Sequence, residues 1–312
     1  MSELFSVVIP TYRRPEVLLR VLEALARQID PPSFEVVVID DGSDDGTVAR
    51  LGAYHPSYAF RFATQPNSGP AAARNAGVRL ARGSTILFLG DDTVPEPPLL
   101  AVHAAAHGER RPYPAAVLGY TTWPADRRVS PFLEQINEYG LQFGYSLIRD
   151  PESVPFNFFY TSNISLPRSL LLDAGLFDTT FPHAAWEDIE MAYRLTRAGM
   201  RIVYRPAAVA RHYHDITFAS FRKRQEKSGQ AAAIFYAKHP ELGDFLGVPQ
   251  AILFRNGGTL DGRWWPFWAA LTQKLRLPGG RYAVDHVLRQ DYLRGLQGAL
   301  PRGENIPLRG TR

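Results

Sequence analysis

The chain has 312 residues, a net charge of +4 and no cysteine, which excludes a disulfide framework and a thiolate metal site. Its 45% hydrophobic and 21% charged content is that of an ordinary globular protein, long enough for one large domain or two smaller ones. The opening MSELFSVVIPTYRRPE lacks a basic region followed by a long apolar run, and no stretch reaches the roughly 18 uninterrupted apolar residues of a bilayer span. The expectation is a cytoplasmic protein, with a peripheral membrane contact left open. The basic excess, mostly arginine in the C-terminal third, fits a phosphate-bearing ligand or an anionic membrane surface, or else a solvated basic face.

Residues 5–12 (FSVVIPTY) read as an apolar strand, and residues 15–28 follow with helical spacing. Val17, Leu18, Val21, Leu22 and Leu25 share a face, and Pro15 suits a first turn. Strands are predicted at 34–40, 60–66 and 84–92, and helices at 46–55 and 69–82. Apolar strands alternating with helices predict an α/β fold with a Rossmann-like, mostly parallel sheet covered on both faces. Ligands on such sheets bind beyond the carboxyl ends of the strands. PTYRR, the Asp40–Asp41 pair and the Asp91–Asp92 pair all fall at that edge.

From about residue 112 the sequence turns Pro- and aromatic-rich. WEDIEMAYRLTRAG then predicts a helix, with Ile189, Ala192, Tyr193 and Leu195 facing the core and Gly199 as its stop. Residues 201–214 read as a strand with a His-containing end. Beyond 215 come Arg- and Lys-rich helical segments and the aromatic cluster RWWPFWAAL. That cluster, with Trp264, Trp265, Phe267 and Trp268 near Arg263, Lys274, Arg276 and Arg281, suits a packing or homodimer contact, or an interfacial membrane helix.

Carboxylates at Asp40 and Asp41 can accept hydrogen bonds from a nucleobase N–H or ribose hydroxyls, while Asp44 and Asp45 suit capping of the next helix. Gly90, Asp91 and Asp92 offer oxygen ligands to a hard divalent ion beside phosphates, or form a simple turn. Glu187 and Asp188 open a helix, where capping accounts for one acid but leaves the neighbouring Trp186 unexplained. His212 and His214 lie on one side of a strand. Arg74, on the helix after Gly69–Pro70, is either a phosphate or base contact or a surface arginine.

VVIPTYRR, VVVIDDGSDDGT, NSGPAAARNAG, FLGDD and WEDIEMAYRL occur in this order, and together they resemble the family 2 glycosyltransferases over roughly residues 4–215. The resemblance implies a GT-A fold, in a domain expected at 1–222 (nucleotide half 1–110, acceptor half 111–222) with a helical C-terminal extension at 223–312. It implies an inverting sugar transfer from a UDP-, GDP- or dTDP-linked donor to a hydroxyl-bearing glycan or lipid-linked acceptor, helped by Mn²⁺ or Mg²⁺. No nucleic-acid partner is expected. Pro10, Thr11, Tyr12, Arg14, Asp41, Arg74 and Asp91 would contact the nucleotide. Asp92 would hold the metal with His212, His214 being the second choice. Asp188 would be the catalytic base beside Glu187, and Trp186 would face the acceptor. Gly90 departs from the family's Asp-x-Asp element, and the missing carboxylate predicts weaker metal holding. A nucleotidyltransferase, a retaining transferase and a non-catalytic scaffold are the competing readings. The first would call for a Gly-rich, Lys-containing phosphate loop, which IPTYRRPE does not supply.

Overall fold

In the computed structural model, which describes residues 4–255, 265–275 and 280–301, the four apolar runs become neighbouring strands. They are β1 (Phe5–Thr11), β2 (Phe34–Asp40), β3 (Ala59–Thr64) and β4 (Thr85–Leu89), connected by α1 (Pro15–Leu25), α2 (Thr47–Gly52) and α3 (Pro70–Leu80). Their pairings, β3 to β2, β2 to β1 and β1 to β4, are all parallel. Successive side chains on a strand point to opposite faces, and both faces are covered here. Val8, Phe88 and Ile86 pack in one core; Val7, Ile9, Val36, Val38, Leu87 and Leu89 pack in the other with Leu18, Val21 and Leu22 of α1. Each such side chain contributes about 1.5–3 kcal/mol by leaving water.

The fourth strand stops at Leu89 rather than running to Asp92. Gly90 to Asp92 form a turn in which the Thr93 N–H donates to the Gly90 carbonyl at 3.1 Å. A Cβ at Gly90 would stand 2.6 Å from the Thr93 hydroxyl and 3.1 Å from the Asp92 carboxylate. Glycine is therefore what lets this turn close. The short β5 (Thr93–Pro95) follows, then α4 (Leu99–Gly108), β6 (Ala115–Thr122), α5 (Pro131–Glu138), β7 (Asn163–Pro167), α6 (Arg168–Asp173), α7 (Glu187–Arg197) and β8 (Arg201–His212). The eight strands form one sheet in the order β3-β2-β1-β4-β7-β6-β8-β5. β7 enters antiparallel between β4 and β6, and β5 pairs antiparallel with β8. Neither β5 nor β7 is predicted from sequence, since three and five residues are too few for a periodic signal.

The helices beyond the sheet are α8 (Phe218–Lys238), α9 (Gly243–Leu246), α10 (Val248–Arg255), α11 (Trp265–Leu275) and α12 (Gly280–Ala299). The chain divides into two compact units. One comprises residues 1–129, 136–179 and 187–214 and holds the sheet; the other comprises 130–135, 180–186 and 215–312. α8 spans the boundary expected at 222, and the second unit takes up the chain from Asp215. Within the helical unit, α8 and α12 cross at two glycines. A Cβ on Gly229 would meet the Tyr292 carbonyl at 2.0 Å, and one on Gly295 would meet the Glu226 carbonyl at 1.9 Å. Arg222 grips Asp291 with two hydrogen bonds of 2.7 and 3.1 Å. On α11, Phe267 and Trp268 are exposed; Trp264, Arg263 and Arg276 lie outside the described residues. No helix among the described residues is long and apolar enough to cross a membrane.

Candidate active site

The edge formed by the carboxyl ends of β1, β2 and β4 carries the acidic groups. Asp41, just past β2, is buried and accepts three hydrogen bonds: from the Gln65 side-chain amide at 2.7 Å, the Ser68 N–H at 2.9 Å and the Gly69 N–H at 2.8 Å. A carboxylate has about four lone-pair sites, so Asp41 pins the 65–69 loop and keeps one position on Oδ2 for a ligand donor. Gly69 sits at φ 86°, a conformation that suits a residue without Cβ. The N-cap of α2 is Gly46, with no side-chain capping bond; Asp45, one residue earlier, accepts from the Thr47 N–H at 3.2 Å and from its hydroxyl at 2.5 Å. Asp44 pairs with Arg13 at 2.7 Å.

Thr11, the last residue of β1, donates its hydroxyl to Asp91 at 2.9 Å. Arg14 reaches the same place, 3.3 Å from Asp91 and in direct contact with Asp92. Pro10 lies within β1 opposite Ile39. Tyr12 is exposed, with the Arg13 guanidinium over its ring at 5.0 Å. Burial, and then the charge of Asp92, push the Asp91 carboxyl up to about 6. Asp92 goes the other way. Burial opposes its charge, but hydrogen bonds from His212 and His214 and the Arg14 guanidinium outweigh that and hold it well below the usual carboxylate range.

The antiparallel register of β5 on β8 sets Thr93 opposite His212, and the Tyr213 N–H donates to the Asp92 carbonyl at 2.7 Å. Both imidazoles thereby face one carboxylate. His212 Nε2 is 3.5 Å from Asp92 Oδ1, and His214 Nδ1 is 3.1 Å from Asp92 Oδ2. The three donor atoms lie within 4.8 Å of one another. One carboxylate and two imidazoles suit a divalent first-row transition ion better than Mg²⁺, which prefers oxygen donors. The His212 ring stacks with Trp123 and with His214, with centroids at 5.5 and 5.6 Å.

Glu187 and Asp188 open α7. Glu187 is buried and accepts from Arg74 at 2.8 Å, an ion pair joining α3 to α7. Arg74 thus pairs with the acid beside Asp188 through its Nη1, while its Nε is buried without a hydrogen-bond partner. The neighbouring motif residues serve packing. Asn75 exchanges hydrogen bonds with the Phe177 backbone at 2.7 and 2.9 Å, and Gly77 leaves room for Val8. Asp188 is half-buried, and its Oδ1 accepts from the Ile189 N–H at 2.9 Å. Burial first, and the Glu187 charge second, push its carboxyl up to about 7, with Arg74 opposing. Tyr160, whose hydroxyl is pushed upward by burial, by Tyr145 and by the charge of Asp188, is a neighbour of this acid.

Trp186 sits at φ 70°, immediately before the acid pair. Its indole N–H donates to the Ser228 carbonyl at 2.9 Å, and its ring packs against Phe235, Phe245 and Tyr292. These contacts tie it into the helical unit, where it stays half-exposed.

A family model described as glycosyl transferase family 2 matches residues 6–164. The validoxylamine A glucosyltransferase of Streptomyces hygroscopicus subsp. limoneus is 33% identical over 268 residues, 77% of this chain and 57% of that protein. The chain therefore spans just over half the length of that relative. Among solved structures, the mannosyltransferase PcManGT from Pyrobaculum calidifontis in complex with GDP-Man and Mn²⁺ superposes with a TM-score of 0.59 at 19% identity, over 93% of this chain and 87% of that one. S. aureus TarS 1–349 in complex with UDP-GlcNAc gives a TM-score of 0.53 at 18% identity, over 95% and 90% of the two chains. At these identities the likeness is one of fold.

Proposed function

The chain belongs to glycosyl transferase family 2 and has the GT-A fold, and from that premise we propose that it transfers a sugar from a nucleoside-diphosphate donor to an acceptor hydroxyl, with inversion at the anomeric carbon. The observation that carries this reading is the division of labour between two acids. Asp92 stays ionised among His212, His214 and Arg14, while Asp188, on the helix opened by Glu187, is raised to about 7. A carboxylate of that strength is suited to general-base work near neutrality. The family match favours this reading over a nucleotidyltransferase or a non-catalytic scaffold.

In the proposed reaction the acceptor O–H gives its proton to the Asp188 carboxylate as its oxygen bonds to the anomeric carbon. The bond from that carbon to the diphosphate oxygen breaks on the opposite face, and its electron pair leaves with the nucleoside diphosphate. A divalent ion held by Asp92, His212 and His214 would neutralise the charge of that leaving group. Arg14 adds a guanidinium at the same place, matched to a diphosphate once it leaves the acids. Thr11, Tyr12 and the free position on Asp41 Oδ2 serve the nucleoside, and Arg74 holds Glu187 beside the base.

Thermal-shift measurements with UDP, GDP, dTDP and CMP, each with and without Mn²⁺, address the reading directly. One nucleoside diphosphate raises Tm in a Mn²⁺-dependent way; at 100 times its Kd a ligand stabilises by about 2.7 kcal/mol. No shift with any of them rejects a nucleotide-sugar donor.

A further inference from the structure

We propose that Arg14 couples metal binding to donor binding: its guanidinium holds Asp92 until the donor diphosphate draws it away, so that the divalent ion and the nucleoside diphosphate bind cooperatively. The inference rests on the donor and metal readings given above.

Asp92 offers two carboxylate oxygens, and the fold surrounds both. Oδ1 faces His212 Nε2 at 3.5 Å and accepts from the Thr93 hydroxyl at 3.3 Å. Oδ2 faces His214 Nδ1 at 3.1 Å and takes Arg14 Nη1 directly. The same Nη1 lies 3.3 Å from Asp91. Arg14 therefore stands where the two acids meet, as a fixed positive charge of the chain at the candidate metal centre. A divalent ion on Asp92, His212 and His214 would share that carboxylate with a guanidinium, and like charges at such spacing repel. Asp92 is 7% exposed, so salt screens that repulsion little.

The loop lets this side chain go while its backbone stays. The Arg13 N–H donates to Ser43 Oγ at 2.8 Å, and the Arg14 carbonyl accepts the Leu18 N–H at 3.1 Å as α1 begins. The Arg14 side chain makes no capping bond to that helix. Among the described residues its guanidinium is bonded only to Asp91 and Asp92, and 39% of the side chain is exposed. One nitrogen serves both acids, so the two-pronged pairing open to a guanidinium is not used there. Diphosphate oxygens offer that pairing. Once Arg14 turns to them, Asp92 is released to the ion, and by linkage each ligand tightens the other by the same factor.

Mn²⁺ affinity of the nucleotide-free protein is read from the EPR signal of the free ion, and affinities for UDP, GDP and dTDP from calorimetry with and without Mn²⁺. Arg14→Met binds Mn²⁺ alone about 10- to 100-fold more tightly than wild type, the scale of one charge-assisted hydrogen bond. The factor by which Mn²⁺ tightens the nucleotide shrinks to the same extent. Arg13→Met, which removes an equal charge held at Asp44, leaves both quantities as in wild type. A residue that merely supported Asp92 as a ligand would show the opposite sign, weaker Mn²⁺ binding once removed. That sign, an unchanged affinity, or an equal gain in Arg13→Met overturns the proposal and leaves the metal reading standing. No Mn²⁺ binding by wild type or by Arg14→Met removes the metal reading and the proposal with it. Mn²⁺ binding with no affinity for any of the three nucleotides overturns the coupling and the donor reading together.

Discussion

At the scale of single residues, Asp188 has two properties that one substitution separates. Its carboxyl is raised to about 7 by burial and by Glu187, so the base is half protonated at neutrality. Transfer activity should rise about tenfold per pH unit below that value and level off above it. Asp188→Asn keeps a side-chain oxygen for the Ile189 N–H but has no basic form. It should lose activity by about 10²- to 10⁴-fold while binding nucleotide normally, which steady-state rates and a nucleotide titration measure. Full activity in this variant excludes Asp188 as the base. The neighbouring acid acts through charge. Glu187→Gln removes the negative group beside Asp188 and leaves Arg74 facing it, so the acid limb of the pH–rate profile moves to lower pH. An unmoved limb shows that Glu187 does not tune the base.

At the scale of elements, the same pair shows what was legible in the sequence. The acid clusters at 40–45 and 91–92 could be read because each follows an apolar strand, and strand ends locate a ligand edge. The acids of α7 were legible as a helix start, and His212 and His214 as the end of the strand-like run of β8 and just beyond it. Partnerships were not. Arg74 and Glu187 are 113 residues apart, and Gln142 and His212 are 70 apart; no local period carries such a pairing. Neither the Arg74–Glu187 pair nor the Gln142–His212 contact is therefore visible along the sequence. The glycines of the last helices were silent for a related reason. Gly229 and Gly295 look like ordinary helix-weakening residues until α8 and α12 are seen to touch there. A methyl at 295 would sit 1.9 Å from the Glu226 carbonyl, so Gly295→Ala must push the helices apart. Overpacking of this kind costs about 1–3 kcal/mol. Hydrogen–deuterium exchange should show α8 and α12 losing protection together, and unchanged protection in both would reject the crossing.

At the scale of the whole molecule, the perturbed groups act on stability with opposite signs. Asp91 and Asp188 hold their protons in the native state to about 6 and about 7, and Asp285 is raised by burial too. The unfolded chain releases those protons near the ordinary carboxylate value of 3.8. Between these limits the native state binds more protons, so stability falls as pH rises. His103 does the reverse. Buried between Ser165 and Asn163, it is pushed down to about 4. The unfolded chain therefore takes up its proton first, and stability falls as pH drops from 6.5 toward 4. Glu35 and Asp92, both lowered, add a further loss only below the ordinary carboxylate range. Between about pH 4 and 6 the two raised acids outweigh the one histidine, so the divalent-free protein should be most stable near pH 4, weaken as pH rises to about 7 and level off above it. Asp188→Asn removes the contribution that extends furthest toward neutral pH. It should flatten the alkaline side and gain about 1–3 kcal/mol over wild type near pH 8, the scale set by 1.36 kcal/mol per unit of pKa shift. Urea unfolding across the pH range measures both profiles. If wild type is most stable at pH 8, or if the two profiles coincide, Asp188 is not a raised acid, and its assignment as a base poised near neutrality loses its physical ground.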